Sequence, residues 1–424
     1  MKIWLPVIFF ACLVAGALAY RAALPPQAET PPPIAANAFD TAAIVERLEA
    51  AGRQYAARVA AQQRLRAVER ATLAYLRAIP RDAPGPAVPG LGENGGAQQR
   101  LAEFDAWGGG LPAAHVRTAA GEVTFKAKRA RVAATFGVRV NTATRGRVVF
   151  ATRPTVHLKR SGGSWRVVDV RAGRSGIRAI PAPVLVTAGP AWVLANGTNA
   201  TFARDVAATA ATAIPQLRAR YRKVAGPRRA FMLVADTTAQ VAQVLGRADR
   251  PRVPHPTGWT YENGDVVLLW PNLRGQPPIA RATTVRHEIL HVVALPLLRR
   301  TPTMLLEGIA LFEEVPPSVP RGRFVLDLAR LRAAFRAQDL GYQDLLHSTQ
   351  PAFGRTSAEG ITLGYLAGYA TVAYIEDEHG HGKLIELLAA LRGGDDVDAA
   401  LEQALGLNPV QLQARVKEWV QDAA

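Results

Sequence analysis

The chain predicts an α+β fold, and three changes of pattern along it carry that prediction. Apolar residues recur at helical spacing from Asp40 to Ile79, then switch to short alternating runs between glycine-rich turns from His115 to Arg171. From Ile177 strand-like and helix-like segments mix, and the chain ends in helical periodicity. The 424 residues suffice for two or three domains with substantial cores, and 49% hydrophobic against 20% charged residues excludes disorder as the dominant state.

Lys2 precedes an uncharged apolar run from Ile3 to Ala19 that closes on the small-x-small triplet Ala17-Leu18-Ala19. Residues 1–20 therefore read as a signal peptide or an N-terminal membrane anchor, and the protein is expected to be exported, either held in the cell envelope or secreted. Cys12, the single cysteine, lies inside that run in a poor lipoprotein box, so after cleavage the chain would hold neither a disulfide nor a thiol nucleophile. Residues 21–38 follow as a Pro/Ala-rich tether.

Residues 39–173 form the first predicted module. Ile44, Leu48, Tyr55, Val59, Leu65, Val68 and Leu76 make an approximate helical stripe, one long helix or two, ended by Pro80. The stretch 80–98 is too rich in proline and glycine to be regular and reads as a loop. Val116, Val123–Phe125, Arg131–Ala133, Val138–Val140, Val148–Phe150, Val156–Leu158 and Trp165–Val168 predict antiparallel strands, joined by turns such as Ser161-Gly162-Gly163-Ser164. A helix followed by a curved antiparallel sheet is similar to the cone-shaped nuclear-transport-factor-like fold, which implies a module for binding or for spacing. His115 and His157 are isolated within it and read as structural.

Residues 177–424 form the second predicted domain. Val184–Val186 and Phe231–Val234 read as strands around a helix over 203–224, and Gly264–Trp270 is a further strand ending at Pro271. The chemistry lies beyond them, in His287-Glu288-Ile289-Leu290-His291 and in Leu305-Leu306-Glu307-Gly308-Ile309-Ala310. On a helix His287 and His291 leave the same face and can bind one Zn²⁺, with Glu288 beside them in reach of a water on the metal. Catalytic zinc keeps three protein ligands so that water takes the fourth position, and a carboxylate that is not a ligand can take the proton of that water. Glu307 is the natural third ligand, because Pro296 ends the first helix and Pro302 opens the next, folding the chain back. Gly308 and Ala310 are small enough for close packing of the two helices, and Val285, Ile289, Leu290, Val292 and Val293 make the first of them a buried one.

An HExxH pair followed by a hydrophobic-hydrophobic-Glu-Gly-x-Ala box resembles the gluzincin metallopeptidases, in particular the bacterial peptidase MA-like domains. The likeness runs over roughly residues 180–420 and continues through Tyr365-Leu366-Ala367-Gly368-Tyr369 and Tyr374–Gly380. It implies a zincin-like domain with a mixed sheet and a helical C-terminal part, zinc on His287, His291 and Glu307, Glu288 as the base, and a peptide or protein substrate cleaved at its peptide bonds. The spacing is shorter than in aminopeptidase-type gluzincins, so an aminopeptidase is not implied. In zincins an edge strand beside the metal helix pairs with the substrate backbone, and Val266–Trp270 is the candidate for it. The loop before it, with His255, Trp259 and Tyr261, is expected to overhang the cleft, His255 as an exposed residue. Tyr365 matches a tyrosine of the family's helical tail and is the expected oxyanion donor, with Tyr369 the second choice.

Other residues weigh less. One of Glu313 and Glu314 is in range to orient a histidine, although solvated helix carboxylates are the commoner case. His379 and His381 flank Gly380 at a helix end, where an interaction with the helix dipole explains them. The segment 395–424 has helical spacing and reads as packing. A net charge of +17 would attract nucleic acid or an anionic envelope if it were concentrated on one face, but the basic residues are scattered and no nucleic-acid motif occurs, so composition is the simpler cause and no nucleic-acid partner is expected. Against the peptidase stands a binding or scaffolding protein of the cell envelope with a structural or inactive metal site; Glu288 has no role in such a site.

Overall fold

The seven alternating runs between His115 and Arg171 fold as five strands. These are β1 (Val116–Lys126), β2 (Arg129–Thr142), β3 (Gly146–Thr152), β4 (Thr155–Ser161) and β5 (Ser164–Arg171), an antiparallel sheet in the order β1-β2-β4-β5 with β3 also paired to β2. Strands are fewer than runs because β1 absorbs two of them across a bulge between Ala120 and Val123, and β2 is long enough to absorb two more. At the β4–β5 hairpin Gly162 and Gly163 take φ values of 55° and 83°, the left-handed pair that a two-residue turn requires.

The protein is seen here as a computed structural model that describes residues 41–79, 95–109, 111–144, 146–173, 176–246, 256–298, 300–314, 328–337, 341–350 and 357–422. The expected leader and tether and His255 lie outside them. Among the described residues no helix is long and apolar enough to cross a membrane. The stripe over 41–79 is a single helix, α1 (Thr41–Ala78). Its residues up to Gln63 belong to one contact unit, and Arg64–Ala424 form the other. In the second unit Val68 and Leu76 are fully buried, whereas Tyr55, earlier on the same predicted stripe, is 62% exposed. The predicted loop over 80–98 needs a correction at its end, where α2 (Gly95–Gly108) begins and buries Phe104 and Trp107 against Phe136 of β2. Its opening pair Gly95-Gly96 reads as a breaker in sequence but is tolerated at a helix start.

A second sheet lies between two cores. Strands β6 (Pro183–Ala188), β7 (Ala191–Asn196), β8 (Ala230–Ala235), β9 (Gly258–Thr260) and β10 (Asp265–Leu269) form the order β6-β7-β8-β10-β9. The pairs β7–β8 and β8–β10 are parallel and the other two antiparallel, so the sheet is mixed. Its central strands alternate between the two sides. Met232, Val234, Val266 and Leu268 join the helical core, whereas Phe231, Leu233, Val267 and Leu269 join the core beneath the first sheet, with Phe231 stacked on Phe150 at 4.8 Å. The boundary expected at 173–177 thus falls between two sheets that share a core. Strand β7 has no counterpart among the predicted elements, since Ala191, Ala195 and Asn196 blur its alternation.

Helices, with one exception, cover the other face of this second sheet. In chain order they are α3 (Ala200–Arg220), α4 (Thr238–Leu245), α5 (Trp270–Leu273), α6 (Pro278–Val293), α7 (Thr303–Glu314), α8 (Leu328–Ala337), α9 (Tyr342–His347), α10 (Ala358–Tyr374), α11 (His381–Gly393), α12 (Val397–Leu405) and α13 (Pro409–Asp422). The exception is α4, whose Val241 and Val244 join the core beneath the first sheet. Proline at the first position of α6 starts it where its missing N–H costs nothing. A π-helical turn, Ile375–His379, ends α10. Helices α7 and α10 touch through glycines: a β-carbon on Gly308 would overlap the carbonyl of Gly368, and one on Gly368 would overlap the carbonyl of Met304.

Candidate metal centre

Helix α6 puts its polar residues into a buried setting. Arg286, Glu288 and His291 are each less than a tenth exposed, which is costly for a polar group without a partner, so their partners are informative. His287 and His291, one turn apart, stand with their rings 4.9 Å apart and nearly perpendicular. Their Nε2 atoms are 3.2 Å from each other, and Glu307 Oε2, brought in by α7, lies 3.2 Å from the first and 3.3 Å from the second. Among the described residues these three are the one group of His, Cys, Asp and Glu side chains placed to share a cation.

The triangle fits zinc. Zinc bonds of about 2.0–2.1 Å in a tetrahedral shell separate ligand atoms by about 3.3–3.4 Å, and the donor set of two imidazoles and one carboxylate is one that catalytic zinc uses. Burial alone would lower the pKa of His287, but hydrogen bonds and charge from Glu307 and Glu314 outweigh it and hold it well above the ordinary histidine value. Burial likewise opposes the Glu307 carboxylate, and His291 and His287 nonetheless hold its pKa far below the usual range.

Around the triangle the neighbours divide the work. Glu314 Oε1 lies 2.8 Å from Nδ1 of His287, which fixes that ring and directs Nε2 inward. His291 Nδ1 is buried and finds no hydrogen-bond partner among the described residues. Glu288 is buried beside the histidines, and burial raises its carboxyl pKa. Thr260, a residue not singled out in the sequence, donates its hydroxyl to Glu288 Oε2 at 2.7 Å. Gly258, on the same short strand, lets that strand approach, since a β-carbon there would sit 3.2 Å from Glu288 Cγ and 3.0 Å from a methyl of Leu268. The phenol of Tyr365 feels the charge of Glu307 first, then burial, then Glu288 and Glu314, and these hold it protonated well above its ordinary pKa. Tyr369 faces elsewhere, packed on Phe312 with ring centroids 6.2 Å apart.

Three expectations are corrected here. The edge strand is β9, not Val266–Trp270: β10 lies between β8 and β9 with all five residues buried, and Trp270 already begins α5. Trp259 and Tyr261 accordingly do not overhang the cleft but pack against the core beneath the first sheet. His381 does not close a helix; it opens α11, with Nδ1 2.7 Å from Glu376 Oε1 and Nε2 2.9 Å from the carbonyl of Arg220.

Behind the triangle lies a second acid cluster. Glu313 is fully buried and meets the guanidinium groups of Arg220 and Arg286, with Tyr221 donating its hydroxyl at 2.9 Å. Arg220 also reaches Glu376 at 2.7 Å, and Arg286 donates to Gln216 at 2.9 Å. These pairs tie α3, α6, α7 and the π-helical turn together through Arg286 and Glu313, the chain neighbours of His287 and Glu314. No protein-family model matches the chain, and no curated protein matches it.

Proposed function

We propose that this protein is an exported zinc-dependent metallopeptidase of gluzincin type, with His287, His291 and Glu307 as metal ligands, Glu288 as general base and a peptide or protein as substrate. The observation that carries the reading is the convergence of three donor atoms at tetrahedral spacing with a buried, non-ligating carboxylate beside them. Bound zinc would supply Lewis acidity, polarising the scissile carbonyl and lowering the pKa of a water in its open position. Glu288, made more basic by burial and held at one oxygen by Thr260, takes a proton with its other oxygen and returns it to the departing amine. Tyr365, kept protonated by the surrounding carboxylates, is a donor for the charge developing on the carbonyl oxygen. The edge strand β9 adds main-chain groups on which an extended peptide can lie.

The purified protein is expected to carry about one equivalent of zinc, and Glu288→Gln to keep the metal while losing peptide hydrolysis by roughly a thousandfold or more. Protein that is metal-free after gentle purification, or a Glu288→Gln variant as active as the parent, would overturn the reading.

A further inference from the structure

The basic residues, expected from the sequence to be scattered, are unevenly spread along the chain. Between Val116 and Arg171 the sequence holds thirteen arginines and lysines against two acids, Glu122 and Asp169, so this segment accounts for eleven of the seventeen net positive charges. Alternation along the strands then sorts them. Val132, Ala134 and Phe136 of β2, Val156 and Leu158 of β4, and Trp165 and Val167 of β5 enter the core, which turns the intervening positions to the opposite face. On that face the strand register sets Lys126 opposite Arg129, Arg129 opposite Lys159, and Lys159 opposite Arg166. One row of four exposed cations therefore crosses four strands, with Lys128 and Arg131 exposed beside it. At about 4.8 Å between strands the row is about 14 Å long.

We infer that this basic face of the first sheet is a docking surface for an anionic phospholipid membrane. A row of four exposed cations is complementary in charge to a layer of anionic headgroups, which can engage all four at once. The row and its neighbours Thr124, Arg131 and His157 carry no phenylalanine, tyrosine or tryptophan, so the face lacks the stacking platform that single-stranded nucleic acid uses. The uncharged apolar run from Ile3 to Ala19 is a sequence signature of export or membrane attachment, which would place the protein where anionic lipid is present.

The test is co-sedimentation of the full chain with vesicles of phosphatidylcholine alone, or containing about 30% phosphatidylglycerol, at roughly 50 and 500 mM salt. The protein is expected to bind the anionic vesicles in excess of the neutral ones, and high salt to remove the excess. Reversing the row, as Lys126→Glu, Arg129→Glu, Lys159→Glu and Arg166→Glu together, should lower that excess roughly tenfold or more. A control with the same charge change on other exposed arginines, Arg222→Glu, Arg228→Glu, Arg229→Glu and Arg274→Glu, should leave it within about twofold. Should circular dichroism show the first variant unfolded, the corresponding four glutamine substitutions replace it with the same expected direction. No excess on anionic vesicles, equal losses in both variants, or tighter binding to double-stranded DNA than to vesicles at equal salt would each overturn the inference.

Discussion

Helix α7 carries two acids less than two turns apart, Glu313 fully buried and Glu307 partly so, and their surroundings differ in kind. Glu313 is enclosed by Arg220, Arg286 and the hydroxyl of Tyr221, groups that donate and whose charge is fixed near neutral pH. Glu307 meets two imidazole nitrogens, which accept as readily as they donate, with Glu288 and Glu314 close behind. The first cluster is neutralised by its own side chains and has nothing left to offer a ligand. The second gathers lone pairs whose natural complement is a cation. Burial alone does not separate scaffold from site; the kind of partner does.

Removing each acid in turn tests this difference most strongly. Glu313→Ala leaves Arg286 without its carboxylate and Arg220 with Glu376 alone, and is expected to destabilise the fold by about 3–5 kcal/mol. Glu307→Ala should cost less than about half of that in metal-free protein while abolishing zinc retention. Urea unfolding of both variants after chelation, with metal analysis before it, makes the comparison. Equal losses of stability would erase the distinction between the two clusters.

A smaller effect is expected at the base. Thr260→Val keeps the shape of the side chain but removes the hydroxyl that holds Glu288, and under the proposed reaction kcat should fall roughly tenfold. Zinc content and KM should stay as they were, and Thr260→Ser should restore the rate. A fall in zinc content in parallel with kcat would mean that Thr260 supports the metal cluster rather than the base.

The two clusters also differ in how far they could be read from the sequence. HExxH is local, because helix geometry alone fixes the positions of His287, Glu288 and His291, and the prolines at 296 and 302 announce the return that brings in Glu307. The arginine cluster is not local: Glu313 draws its partners from α3 and α6, and sequence spacing holds no trace of such contacts. Nor could the adjacent pair Glu313-Glu314 be resolved, since a rotation of about 100° along the helix sends one to the arginines and the other to His287. Gly308 is legible as a small residue, but its partner Gly368 becomes visible only when α7 and α10 cross. Strand β9 was hidden by length, three residues being too few for any period, while the apolar run of β10 signals a central strand buried on both faces rather than an edge.

The smallest expected effect probes the histidine of the scaffold cluster. His381 extends it through Glu376 and Arg220; the bond to Glu376 raises its pKa above the ordinary 6.5, against the opposing effect of burial. A group whose pKa rises on folding stabilises fully below its unfolded value, and that contribution disappears as pH climbs through the folded one. For Glu376 burial would raise the pKa, yet His381 and Arg220 lower it below the ordinary 4.5, so its contribution is complete above that value and fades as pH falls through the folded pKa. The pair is therefore strongest in mildly acidic solution. His381→Asn should cost about 0.5–1 kcal/mol near pH 5.5, a figure kept small because the imidazole is partly exposed, and less near pH 8.5. Zinc content should not change at either pH, since the hydrogen bonds of His381 involve none of the three proposed metal ligands. Urea midpoints shifted equally at both pH values would show that His381 acts by packing alone, and would make the scaffold cluster independent of pH where the metal cluster is not.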